Sequence, residues 1–225
     1  MKTSALSNKA KKSPAQALLA RARIVFWDFD GVLKESLEVK GKAFASLFPN
    51  SSPDLRQKIM DHHAAHGGIS RWEKIPIYLQ WAGVGVSSEK LQIYASKFAA
   101  LVAEGVLNSE WVPGAREYLR TNFHVQRFCL VSATPQEELE QLVKSLGLAP
   151  FFQVIYGWPK EKVEAIYEEL VLSGMLPEEG LMVGDSVVDY QAALANQVPF
   201  LLKKNSHNQK FFQLNNIVSV PNFLF

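Results

Sequence analysis

Phe26-Trp27-Asp28-Phe29-Asp30-Gly31-Val32-Leu33 is the stretch on which the reading of this chain turns. An apolar run from Arg23 to Asp28 leads into it and predicts a strand. The strand ends in two acids, with one bulky residue between them and a glycine behind. A single acid after a strand is an ordinary helix N-cap, its side-chain oxygen accepting from a free backbone N–H. Two acids in this spacing are less easily explained as caps, and they present a pair of carboxylates at one strand end.

Working outward, three more strands end in polar groups. Leu130-Val131-Ser132-Ala133-Thr134-Pro135 closes a strand predicted over Arg127 to Ser132. Thr134-Pro135-Gln136-Glu137 reads as a capping box with proline at the first helical position. A helix start is also an anion site, because its unpaired N–H groups point outward. Gly157-Trp158-Pro159-Lys160-Glu161-Lys162 follows a strand over Val154 to Gly157. Lys160 is placed in the first turn of the next helix, where a cation opposes the helix dipole. It is either a solvated lysine or a fixed positive charge for an anionic substrate. Leu181-Met182-Val183-Gly184-Asp185 is the fourth strand, with Asp189 four residues beyond Asp185. These two acids either favour the start of the following helix or converge on a hard cation. All four stretches fall at carboxyl ends of predicted strands, the edge where open α/β sheets bind ligands. One phosphate-and-metal site accounts for them together.

Apolar strands alternating with helical patterns, with a fifth strand over Phe200 to Lys203, predict βαβ units and a parallel sheet buried on both faces. Residues 36–108 interrupt this alternation and read as helical. Ser70-Arg71-Trp72-Glu73 predicts a capping box, and Ser87 or Ser88 caps a helix carrying Leu91, Tyr94, Phe98, Leu101 and Val102. Trp111-Val112-Pro113-Gly114 marks the return to the core, with Pro113 starting a helix. The predicted organisation is a basic N-terminal tail (1–22), a core (23–35 and 109–225) and an inserted helical unit (36–108). Within the tail, Ser13 and Pro14 predict the start of a short helix.

The 225 residues are 48% hydrophobic and 20% charged, ordinary for a globular protein, and the net charge of +2 makes no case for nucleic acid or membrane partners. No apolar run suits a bilayer span. Cys129 is the single cysteine, so no internal disulfide forms; it reads as a buried strand residue, and a cytoplasmic location is expected. His62, His63 and His66 read as helix-end histidines rather than metal ligands.

Taken in order, these residues resemble the haloacid dehalogenase superfamily, specifically the phosphatases with an α-helical cap inserted after the first strand, similar to phosphoglycolate phosphatases and β-phosphoglucomutases. The resemblance runs from about Arg23 to the C-terminus. It implies an α/β fold, a Rossmann-like parallel sheet in the order 3-2-1-4-5. Residue by residue it implies Asp28 as nucleophile and Asp30 as general acid/base. Ser132, the backbone near Ala133, and Lys160 would bind phosphate. Asp28, the backbone carbonyl of Asp30, and Asp185 would hold Mg2+, with Asp189 binding or supporting it. Gly31 matches the glycine of the tight turn, and Glu35-Ser36 fills the place of an acid and serine. Lys34 departs from the pattern and reads as either a substrate contact or a solvated side chain. Arg71, behind His66-Gly67-Gly68, reads as a contact to a distal anionic group or as a surface arginine.

The function implied is a magnesium-dependent phosphomonoesterase acting on a small phosphorylated metabolite through an aspartyl-phosphate. A phosphosugar mutase shares the same core residues, and a non-catalytic binding protein on this fold is a further alternative. Dehalogenases lack an acid at the position of Asp30, and phosphonatases have a different first motif. Neither the substrate nor the oligomeric state is legible in these residues.

Overall fold

Val25 and Trp27 point to one side of the first strand and Ile24 and Phe26 to the other, and all four are fully buried. Alternation on a strand with no polar face requires cover on both sides, and the sheet is built accordingly. The computed structural model describes residues 12–213 and 216–225. After helix α1 (Pro14–Arg21) comes strand β1 (Ile24–Trp27). Helices α2 (Leu37–Ser46), α3 (Pro53–Ala65), α4 (Arg71–Trp81) and α5 (Ser88–Asn108) follow. The chain then runs α6 (Ala115–Asn122), β2 (Arg127–Pro135), α7 (Gln136–Ser145), β3 (Val154–Trp158), α8 (Lys162–Ser173) and β4 (Gly180–Gly184). It ends α9 (Val187–Ala195), β5 (Phe200–Lys203), α10 (Gln209–Gln213) and β6 (Ser219–Val220).

The six strands form one parallel sheet in the order β3-β2-β1-β4-β5-β6. The expected five-strand order is present, and the two-residue β6 extends it beyond β5. Ile24, Phe26, Cys129, Val131 and Met182 pack on one face against Ala165 and Ile166 of α8 and Ala192 and Ala193 of α9. Val25, Trp27, Phe128, Leu130, Leu181 and Val183 pack on the other against α1, α6 and α7. Truncating one such aromatic to alanine costs about 3–5 kcal/mol through lost burial and the cavity left behind. Cys129 is buried as expected, and burial pushes its thiol pKa up.

Several local expectations change. The first eleven residues of the predicted tail lie outside the described residues, but its end is packed: Ser13 caps α1 in a capping box, and Leu19 is buried in the core. The helix expected from Pro113 starts two residues later, behind Gly114. Ser70 precedes α4 without capping it, because its hydroxyl donates to the Glu73 carboxylate (3.1 Å) rather than accepting from backbone. Ser87 does cap α5, accepting from Lys90 N at 3.2 Å.

The two chain crossings between the sheet and α2–α5 lie side by side. Glu35 N donates to Glu110 O (2.8 Å) and Val112 N to Leu33 O (3.0 Å). Lys34, expected at the substrate or in solvent, is 2% exposed in this crossing. Its ammonium donates to Leu107 O (3.1 Å) and lies 4.7 Å from the Trp111 ring centroid.

Candidate active site

Asp28 follows β1, and its backbone N–H still donates to Val183 O of β4 (3.0 Å), so the sheet fixes its position. Asp185 follows β4 immediately. Between them, Gly31 sits at φ +77°, and a Cβ there would fall 2.3 Å from Asp185 Oδ2. Only glycine tolerates both the left-handed backbone and that close approach.

The lysine of the site is Lys162, not Lys160. Lys160 N donates to Gly157 O (3.0 Å) in a turn, so α8 begins at Lys162 rather than Lys160. Lys160 points outward and pairs with Glu168, each about a third or more exposed. Lys162 is buried, donating to Asp28 Oδ1 (2.8 Å) and Asp189 Oδ1 (2.5 Å). Burial alone would lower its pKa, but Asp189 and Asp28 outweigh burial and raise it. The sequence pattern does not say which of the two lysines opens the helix, and the turn at Gly157–Lys160 decides it for Lys162.

Asp189 takes the helix-start reading of its position and also holds Lys162. Its Oδ2 accepts from Ser186 Oγ (2.6 Å), Ser186 N (3.0 Å) and Asp185 N (3.2 Å), closing the capping box that starts α9. Its Oδ1 is held by Lys162. With both oxygens bonded, Asp189 is suited to orienting Lys162 and the Asp185 backbone more than to binding an ion itself.

Buried carboxylate oxygens of Asp28, Asp185 and Asp189 approach within 4.8 Å of one another. Lys162 is the one cation bonded to this trio among the described residues. Burial and the remaining negative charge together disfavour ionisation of the acids. Burial lifts Asp28 to about 7, with Lys162 opposing and Asp189 and Asp30 adding. Burial, then Asp28 and Asp189, raise Asp185 well above the usual carboxylate range. Asp185 is oriented by Asn205 Nδ2 on its Oδ2 (2.8 Å), and Asn208 Nδ2 donates to its backbone carbonyl (2.8 Å). An undercompensated cluster of carboxylate oxygens fits a hard divalent cation such as magnesium, which the side chains of Asp28 and Asp185 could hold.

Asp30 points away from this trio. Its carboxylate accepts from Ser36 Oγ (2.6 Å) and Thr134 Oγ1 (3.4 Å) and pairs with Lys40 of α2. Burial works to raise its pKa, but the Lys40 charge and the Lys40 and Ser36 hydrogen bonds bring it below the usual value. Thr134 was expected to cap α7; Pro135 takes that position, and Thr134 instead accepts from Lys40 Nζ (3.0 Å). β2 pairs with β3 through Val131, then shifts register to Pro135. That irregularity brings Ser132, Ala133 and Thr134 to the cavity wall, a common use of a bulge beside a site.

Asp28, Asp30, Asp185 and Ser132–Thr134 share one cavity of about 50 Å³ with Lys40, His63, Gly67, Gly68, Arg71 and Lys74 from the helical insertion. The insertion is seated directly on the strand ends. Gly68 (φ +81°) lies so close to Ser186 that a Cβ would come 2.6 Å from its hydroxyl. Trp72 stacks on Trp158 at 5.3 Å, and Arg71 forks onto Glu138 of α7, with Nη1 to Oε1 at 3.0 Å. Arg71 therefore lines the cavity but is already paired. Lys40, His63 and Lys74 were not anticipated as site residues. The one local hint was Lys40, one helical turn after Ser36.

The haloacid dehalogenase-like hydrolase family pattern matches residues 25–203. No curated protein matches the sequence. Among solved structures, a variant of CbbY from Rhodobacter sphaeroides bound to xylulose-1,5-bisphosphate is similar at TM-score 0.73 and 16% identity, covering 90% of this chain and 95% of that one. A haloacid dehalogenase-like family protein from Streptococcus pneumoniae matches at TM-score 0.67 and 17% identity (89% and 94% covered). A predicted phosphoglycolate phosphatase from Haemophilus somnus matches at 0.65 and 17% (81% and 85%). At these identities the structures share the fold. The chain belongs to the haloacid dehalogenase-like hydrolase family.

Proposed function

We propose that this haloacid dehalogenase-like hydrolase is a magnesium-dependent phosphatase of small phosphorylated metabolites, with Asp28 as the nucleophile. The observation that carries the reading is the buried Asp28–Lys162–Asp189 cluster beside Asp185, opening on a cavity whose opposite wall is basic. Asp28 Oδ1 is anchored by Lys162, which leaves Oδ2 to attack phosphorus in line and form an aspartyl-phosphate. Lys162 neutralises part of the charge that accumulates on the phosphoryl oxygens. Ser132 and backbone N–H groups near Ala133 hold the remaining oxygens.

Asp30 handles the protons. It donates one to the departing oxygen and later accepts one from the water that hydrolyses the intermediate. Its pairing with Lys40 favours the second role. The first requires Lys40 to turn toward the substrate anion, which releases Asp30 to carry a proton. Asp28 and Asp185 would hold magnesium, which would supply the positive charge that offsets carboxylate–phosphate repulsion, worth about 4 kcal/mol for unit charges 4 Å apart at an effective dielectric near 20. Residues 36–108 act as a cap that excludes water and selects the substrate.

A phosphosugar mutase is the second reading, favoured by the basic far wall of the cavity. Incubating the protein with magnesium and a panel of phosphorylated metabolites, while following free phosphate and isomerised product, separates the two. Stoichiometric phosphate release without isomer supports the phosphatase. Isomerisation that depends on a bisphosphate activator, with little phosphate released, assigns the mutase. Neither outcome with any substrate removes both readings.

A further inference from the structure

The cavity wall contributed by the helical insertion holds four basic side chains, and their pairing is uneven. Lys40 is committed to Asp30 and Thr134, and Arg71 to Glu138. Lys74 of α4 is different. It is 1% exposed, its Nζ is bonded to His63 Nδ1 of α3 at 3.1 Å, and no carboxylate among the described residues forms an ion pair with it. Its sequence neighbour Glu73 is taken up by Ser70. The other ring nitrogen of His63, Nε2, is buried without a close hydrogen-bond partner; burial, then the Lys74 and Lys40 charges, hold the ring's pKa well below its usual value, with the Leu37 backbone opposing them.

Burying an ammonium with no counter-charge costs several kcal/mol, and a methionine would fill the same volume against Phe44 without that cost. The structure thus carries an unmet positive group and an unmet ring nitrogen side by side, both on the wall facing the three core carboxylates. Burial pushes the Lys74 amine down to about 7, with Lys40 adding and Asp30 opposing across the cavity. An arriving anion would restore its full charge.

We infer that Lys74 and His63 form a second anion subsite, which receives a carboxylate or a second phosphoryl group of the same substrate whose phosphate lies at Asp28. The inference rests on the phosphatase reading for the orientation of that substrate. It narrows the substrate class to short phosphorylated acids or bisphosphates, since the cavity is small and both ends carry cations. A sugar monophosphate with a neutral far end leaves Lys74 unmet.

Non-hydrolysable phosphonates test this without turnover. Calorimetry on the full chain with magnesium compares 3-phosphonopropionate, propane-1,3-diphosphonate and propylphosphonate. One or both of the first two bind at least about tenfold more tightly than propylphosphonate, as charge-assisted hydrogen bonds require. The tighter of the two identifies carboxylate or phosphoryl as the preferred group. Lys74→Met abolishes the preference and leaves propylphosphonate affinity within about twofold. Loss of a buried, unpaired charge predicts that this variant folds with an equal or higher unfolding temperature. His63→Gln, a milder change, weakens the preference. Equal binding of the three probes by the unmodified protein, or a preference that survives in Lys74→Met, overturns the subsite. A preference that holds while no phosphate ester is hydrolysed overturns the phosphatase reading and leaves the subsite standing.

Discussion

The two walls of the cavity are built on different principles. The sheet wall is made of residues at strand ends and helix starts, each tied to backbone: Asp28 to Val183, Asp189 to the start of α9, Asp185 to Asn208. The insertion wall is made of basic side chains from the first and last turns of helices, and two of them, Lys40 and Arg71, reach partners across the gap. The first wall is preorganised by the fold, as a reaction centre needs. The second depends on how the insertion is seated, which suits selection of a substrate. Substitutions on the sheet wall should therefore abolish chemistry, and substitutions on the insertion wall should change affinity and docking.

The sharpest break of this contrast is Asp28→Asn. The amide is nearly isosteric and cannot attack phosphorus, so phosphate release should fall by at least about ten-thousandfold, with circular dichroism unchanged. Substantial activity in the purified variant would place the nucleophile elsewhere.

Lys162 and Lys160 form an internal control two residues apart. Lys162→Met leaves Asp28 and Asp189 buried without their cation and should cost about 3–5 kcal/mol of stability, along with most activity. Lys160→Met removes an exposed pair with Glu168 and should change stability by less than about 0.5 kcal/mol. Denaturant unfolding and phosphate release on both variants measure this difference. Equal effects would contradict the placement of Lys162.

This pair also marks where the sequence became unreadable. Asp28, Asp185 and Ser132 were visible because apolar β-branched runs locate strand ends, and strand ends locate the site. Lys160 was misplaced because helical periodicity does not say which residue opens a helix, and the turn at Gly157–Lys160 delays α8. Thr134 was assigned to a cap because its local pattern permits one; the bulge in β2 redirects it. Beyond the spacing of Lys40 from Ser36, Lys40, His63 and Lys74 carried no local signal, since only the seating of the insertion on the sheet brings them to the cavity.

The sheet wall should also announce its charge through pH. Asp28 and Asp185 have folded pKa values above their unfolded values, Asp28 moving from 3.8 to about 7. Between those limits the unfolded chain holds fewer protons than the folded one, so stability falls as pH rises through the window. Their contribution to the stability of the metal-free protein should therefore fall from about pH 4 toward pH 7, against a rise contributed by His63, whose folded pKa is lowered by burial. Magnesium binds the ionised carboxylates, so the stabilisation it adds should be larger at pH 7 than at pH 5. Thermal scans with chelator and with magnesium give both curves. A magnesium effect independent of pH would mean that the carboxylates are not its ligands.

A small coupling belongs to the insertion wall, at Arg71 and Glu138. Their fork joins α4 to α7 across the gap, with Arg71 buried and Glu138 35% exposed at its side chain. Two parallel charge-assisted bonds exceed an ordinary surface pair, but the partial exposure of Glu138 screens them. A double-mutant cycle with Arg71→Met and Glu138→Gln should therefore give a coupling of only about 1 kcal/mol in stability. Its value lies in sorting the two roles that Arg71 can fill. If the pair serves docking alone, Glu138→Gln loosens the insertion, raises protease sensitivity near its two chain crossings, and leaves KM unchanged or higher. If Arg71 also meets substrate, Glu138→Gln frees the guanidinium and lowers KM for a doubly anionic substrate, while Arg71→Met raises it. A fall in KM on losing Glu138 would show that the insertion wall holds one of its cations in reserve, paired to protein until an anion displaces the carboxylate.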